Sequence, residues 1–87
     1  MTLEKKDLKA LEDLLAKHGY GVRYEKGTFK AGACMIKGLK QIVVNKHFNT
    51  EGKAICLLEM LLQMELNPEL VSSEQYQLLE KYSSKKP

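Results

Sequence analysis

Between Thr50 and about Leu66 the chain carries a helical segment whose apolar residues leave almost no polar side. Ala54, Ile55, Leu57, Leu58, Met60, Leu61, Leu62 and Met64 wrap most of its circumference. Only Gly52, Cys56, Glu59 and Gln63 form a narrow non-aliphatic seam. A helix that is apolar nearly all round must be covered on several sides. In a chain of 87 residues, it is therefore the centre on which everything else packs. Asn49 is its expected N-cap, with Glu51 in the first turn where the helix dipole favours an anion. Asn67-Pro68 ends it, because a residue before proline avoids helical backbone.

The flanking segments supply the cover. A first helix is expected from about Leu3 to His18, capped by Thr2, with Leu8, Leu11, Leu14, Leu15 and His18 on one side. Gly19 stops it as a left-handed residue. A third helix is expected from about Ser73 to Tyr82. Ser72 and Gln75 form its capping box, and Tyr76, Leu79 and Tyr82 its inward stripe. Between the first two helices, residues 20–45 alternate apolar and polar, the pattern of half-buried strands. A turn at Lys26-Gly27 would pair Tyr24 with Phe29, Arg23 with Lys30, Val22 with Ala31 and Tyr20 with Ala33. A two-residue turn at Lys37-Gly38 would pair Ala33 with Ile42, Ala31 with Val44, Gly32 with Val43 and Cys34 with Gln41. The expected fold is a single α+β domain over residues 1–82, in the order α-β-β-β-α-α, with a flexible C-terminal tail over residues 83–87. Its sheet would be a three-stranded antiparallel meander with helices packed on one face.

The formal charge of +3 is small, but it is unevenly placed. Residues 19–49 hold Arg23, Lys26, Lys30, Lys37, Lys40 and Lys46 against Glu25 alone, an excess of +5. The two cysteines fall in different expected elements, unlike the regular spacing of a disulfide-stapled secreted domain. No apolar leader or run of transmembrane length is present, so the chain reads as cytoplasmic, with no membrane partner.

Leu58-Glu59-Met60-Leu61-Leu62 has the spacing of an H-E-x-x-H zinc-peptidase helix. Two imidazoles four residues apart bind zinc on one helical face, and leucine has no lone pair to offer. The order helix, small sheet, strand ending in Ile42-Val43-Val44-Asn45, loop and apolar helix resembles the core of the ImmA/IrrE-type zinc metallopeptidases. That resemblance implies a metallopeptidase-like scaffold on which Glu59 matches the family's glutamate. Leu58 and Leu62 replace its two histidine ligands, so no metal residues carry over. No histidine follows His47 to act as a third ligand. The chain also resembles small uncharacterised bacterial proteins through Val22-Arg23-Tyr24-Glu25-Lys26-Gly27, Gly32-Ala33-Cys34 and Ile42-Val43-Val44-Asn45, a likeness that implies no activity.

Other chemistry is sparse. Glu59 as a general base would need a bound water or substrate beside it. As a lone carboxylate four residues from Gln63, it reads as the polar edge of a buried helix. Cys34, Cys56, His18 and His47 contain no closely spaced ligand pair, so no structural zinc site is expected. Cys56 reads as packing at the core edge. No catalytic residue, metal or cofactor is assigned.

The outer sheet face is the candidate site, with Arg23, Lys30, Cys34, Ile36, Leu39, Gln41 and Val43. Ile36, Leu39 and Val43 beside basic residues suit a protein partner or a second copy in a homodimer. Strand edges at residues 22–25 or 42–45 offer a second route. The expectation is a non-catalytic protein-interaction module. Weak nucleic-acid binding through Arg23, Lys30, Lys37, Lys40 and Lys46 is the alternative. Tyr20, Tyr24 and Phe29 face the core in this register, where no base could stack on them. A thiol-dependent role at Cys34, beside Arg23 and Lys30, is a further alternative.

Overall fold

The computed structural model describes residues 3–27 and 31–85, with the backbone alone at residues 31, 33–36, 84 and 85. The order is α1 Lys5–Lys17, β1 Tyr20–Glu25, β2 Ala31–Ile36, β3 Leu39–Asn45, α2 Thr50–Leu62, a 3₁₀ turn Pro68–Leu70 and α3 Ser73–Lys85. The fold is α+β, but its sheet is not the expected antiparallel meander. Strand order is β1-β3-β2, with β3 parallel to β1 and antiparallel to β2. Val22 lies opposite Ile42 and Tyr24 opposite Val44. The expected partners were Ala31 for Val22 and Phe29 for Tyr24. The unbroken β-branched run Ile42-Val43-Val44 is better suited to a strand with neighbours on both sides.

This arrangement puts a demand on the end of β3, because the chain leaving β1 must reach β2 on the far side of it. Asn45 meets that demand. Its Nδ2 donates to the Gly27 carbonyl at 2.9 Å, and its Oδ1 accepts the His47 N–H at 3.0 Å. The Lys46 N–H donates to the Glu25 carbonyl at 3.0 Å. β1 and β2 do not pair as a hairpin, and Asn45 ties Gly27 to the end of β3 instead. Phe29 and Lys30 of the expected pairing lie outside the described residues, as does Thr2. The β2–β3 hairpin has the register that a two-residue Lys37-Gly38 turn sets, with Ala33 opposite Ile42 and Cys34 opposite Gln41. Lys37 (φ 52°) and Gly38 (φ 81°) are both left-handed, the geometry of a type I′ turn.

Ile42 and Val44 are fully buried, and Tyr20, Val22 and Tyr24 lean on the same core. Leu3, Leu11, Leu14 and Leu15 in and before α1, Ala54, Cys56, Leu57, Leu58 and Leu61 of α2, and Leu78 and Leu79 of α3 join it. The Cα radius of gyration, 12.4 Å, is close to the ~12 Å of a single packed body of this length. Local caps set the helix limits. The Glu4 N–H donates to Asp7 Oδ2 at 2.8 Å, so α1 begins there. Asn49 Oδ1 accepts the Gly52 N–H at 2.7 Å. The α2 helix ends at Leu62, short of the expected Leu66, and α3 continues past Tyr82 to Lys85.

Two polar side chains position the later elements against α1. The Asn67 N–H donates to His18 Nε2 at 2.9 Å, which leaves Nδ1–H to donate to the Leu14 carbonyl at 2.9 Å. Gln75 Oε1 accepts the Ser72 N–H at 3.0 Å while its Nε2 donates to the Ala10 carbonyl at 2.8 Å. Gln75 is therefore 4% exposed and sets the rotation of α3, turning Gln75, Leu78, Leu79 and Tyr82 inward. Tyr76 is not part of the inward stripe. It is 60% exposed.

Substitutions at two positions test these constraints. Asn45→Ala should destabilise the fold by about 1–3 kcal/mol through the loss of two part-buried hydrogen bonds worth about 0.5–1.5 kcal/mol each, read as a lower urea midpoint. Asn45→Asp, which keeps the acceptor for His47 but loses the donor to Gly27, should recover little of that loss. Lys37→Asn should stabilise by about 0.5–1 kcal/mol, because asparagine adopts left-handed backbone more readily than lysine. A fall in the midpoint would refute the turn assignment.

Candidate functional site

The parallel pairing of β1 with β3 rearranges the outer sheet face without dispersing it. Arg23, Val43 and Gly32 form one row across the sheet, Gly21, Gln41 and Cys34 the next, and Leu39 lies opposite Ile36 at the hairpin end. The candidate residues Arg23, Cys34, Ile36, Leu39, Gln41 and Val43 thus occupy neighbouring register positions, whereas Lys30 lies outside the described residues. Val43 now stands beside Arg23 where Lys30 was expected. Leu39 is 63% exposed, Arg23 is exposed, and Gln41 and Val43 are half-buried. A Cβ on Gly21 would fall 2.8 Å from Gln41 Oε1, so the missing side chain makes room for that carboxamide to lie across β1. Cys34 and Ile36 are placed by their backbone pairing alone. Among the described residues, helices pack on the Ile42 and Val44 side of the sheet and leave this side uncovered.

Charge on the face is partly neutralised. Arg23 Nη2 lies 2.8 Å from Glu25 Oε1, two residues along the same side of β1. Lys40 sits with Nζ 5.4 Å above the Tyr20 ring, while Lys37 occupies the hairpin turn. From Lys40 to Lys46 the strand rises about 20 Å, so these two lysines stand at opposite ends of it. The strand edges also differ from expectation. Ile42 to Asn45 belong to the central strand and cannot receive a partner strand, whereas β1 is an edge.

Inside the fold, the strand, loop and helix from Gln41 to Leu62 place the zinc-motif positions in unlike surroundings. Leu58 is fully buried, Leu62 is 38% exposed, and Glu59 is half-buried. Cys56, expected at the core edge, is 2% exposed within the core. Among the described residues no group of three or more His, Cys, Asp or Glu side chains converges as a metal site. No described helix is long and apolar enough to cross a membrane. Comparison with protein-family models, curated proteins and solved structures found no match to this chain.

A second surface lies on the helical side of the molecule. An open groove of about 710 Å³ runs between the end of α2 with its following loop and α3, and the exposed Leu62 and Tyr76 lie along it. The available signal was Gln75. Treated as an inward residue four before Leu79, it turns Tyr76 outward.

Tyr24 stands apart electrostatically. It lies at the margin of the core, where its hydroxyl donates to the Glu12 carboxylate and Lys53 Nζ sits 4.9 Å over its ring. Burial, then the Glu12 hydrogen bond and charge, raise its pKa well above the ordinary tyrosine value. The unfolded chain releases this proton near pH 10 and the folded chain holds it to higher pH. The stabilisation is thus whole below about pH 10 and is lost as pH rises through the folded value. In an alkaline absorbance titration, Tyr24→Phe should remove a late-titrating tyrosine and should weaken the alkaline fall in stability.

Proposed function

We propose that this protein is a non-catalytic interaction module whose outer sheet face binds a second copy of itself or a partner protein. The observation that carries the reading is Leu39, an aliphatic residue 63% exposed on a sheet face without helical cover. Val43 and the aliphatic stem of Arg23 extend the same surface, and the Arg23–Glu25 pair gives it a polar rim. The scaffold is proposed as metallopeptidase-like in its β3, loop and α2 unit, with leucines where such an enzyme has zinc ligands. What supports this is the element order, with Asn45 at the strand end and Glu59 in mid-helix. A cytoplasmic setting fits a chain with two cysteines placed in different elements.

The test is light scattering coupled to size-exclusion chromatography at low and moderate salt. The wild-type chain should run as a dimer whose mass does not depend on salt. Leu39→Asp should weaken association at least tenfold, about 1.4 kcal/mol, with little change in stability because the residue is exposed. A wild-type monomer at both salts that also shows no Leu39-dependent binding to a partner sinks the proposal.

A further inference from the structure

We infer that the groove between the end of α2 and α3 docks an amphipathic helix of another protein, about three turns long, with Lys or Arg flanking its apolar stripe. One wall is Leu62, Leu66, Pro68 and Val71, and the other carries Tyr76 and Leu79. Along α3, the lining residues Ser73, Tyr76, Glu80 and Ser83 succeed one another at helical spacing. The trough therefore extends about 15 Å, the length of roughly three helical turns. Anchors at i, i+3, i+4 and i+7 of a guest helix need a slot of this shape.

The walls also select against a strand. One wall is the side of a helix. The other includes the 3₁₀ turn, whose Glu69 N–H donates to Asn67 Oδ1 and whose Leu70 N–H donates to the Asn67 carbonyl. A guest helix satisfies its own backbone and asks for none of these groups. Both walls are held to α1, one through Asn67 N–H to His18 Nε2 and the other through Gln75 Nε2 to the Ala10 carbonyl. The slot thus needs little ordering when it fills.

Charge decides the flanks of the occupant. Residues 62–83 hold Glu65, Glu69, Glu74 and Glu80 against Lys81, a net −3 within a chain whose total is +3. All four glutamates are exposed. A second copy meeting this groove with its own groove would set like charges against each other. Glu80 lines the groove and Glu69 follows its wall residue Pro68, so a basic guest helix meets the opposite sign at these positions.

The experiment measures fluorescence anisotropy of a synthetic helical peptide of about 14 residues, with Leu at the i, i+3, i+4, i+7 positions and Lys elsewhere. The full chain is titrated into it, with a scrambled peptide and a Leu/Glu counterpart as controls. Saturable binding of the Leu/Lys helix alone is expected. Tyr76→Ala should weaken it at least tenfold, and Leu39→Asp should leave it unchanged. The double variant Glu69→Lys/Glu80→Lys should shift its preference to the Leu/Glu peptide. Because Tyr76, Glu69 and Glu80 are exposed, circular dichroism should show these variants folded. The inference is overturned if the Leu/Lys helix does not bind, if it binds no better than its scramble, or if Tyr76→Ala binds it as tightly as wild type. It is overturned equally if charge reversal does not exchange the preference, or if Tyr76 instead mediates self-association.

Discussion

Asn45 stands where the sheet, the crossing from β1 and the entry to α2 meet, and each depends on its carboxamide. Both other strands pair with β3, so the position of that strand's end determines where the rest of the chain can go. The carboxamide donates to Gly27 on one side and accepts from His47 on the other. A hydrophobic residue could fill the space but could not join those two backbone groups. With the join made, the chain turns within a few residues into α2, whose first turn is closed by Asn49. The buried leucines of α2 then reach the side of the sheet that carries Ile42 and Val44.

The same economy of buried polar groups shapes the far side of the molecule. His18 and Gln75 each end on backbone groups of a distant element, and together they fix the 63–72 loop and α3 relative to α1. Apolar packing alone would allow α3 to rotate by one residue, since leucines and tyrosines lie on adjacent stripes. The Gln75 bond to Ala10 removes that freedom, with Tyr76 exposed as the result. Among the described residues, a sheet face without helical cover and an apolar groove edged by Glu80 thus lie on separate elements. Its excess positive charge belongs to residues 19–49 and its excess negative charge to residues 62–83.

Much of this was legible in the sequence wherever the governing interaction is local. Gly19, Asn49 and the Lys37-Gly38 turn act over two to four residues, and their side-chain types reveal them. The inward face of β1 and β3 follows from alternation alone. The neighbour of β1 does not, because Val22 and Tyr24 would sit equally well beside either strand, and a strand's own period says nothing about its partner. The run Ile42-Val43-Val44 was the clue to a central strand. Tyr76 was misplaced because a glutamine was read as a capping residue only, when its amide group also bonds to another helix. The outer-face residues were recoverable as a set, since period two survives a change of partner, but their cross-strand neighbours were not.

The mixed sheet also imposes an order on folding. Ile36 and Leu39 are separated only by the turn, so β2 and β3 can zip together from it with little loss of chain entropy. Tyr20 must find Lys40 across twenty residues, and parallel strands have no turn from which to zip. The hairpin is therefore the first piece of sheet to gain from its own contacts, and β1 joins an edge that already exists. Slow, non-local search in this small chain is concentrated in one event, the arrival of β1 with the helix that precedes it.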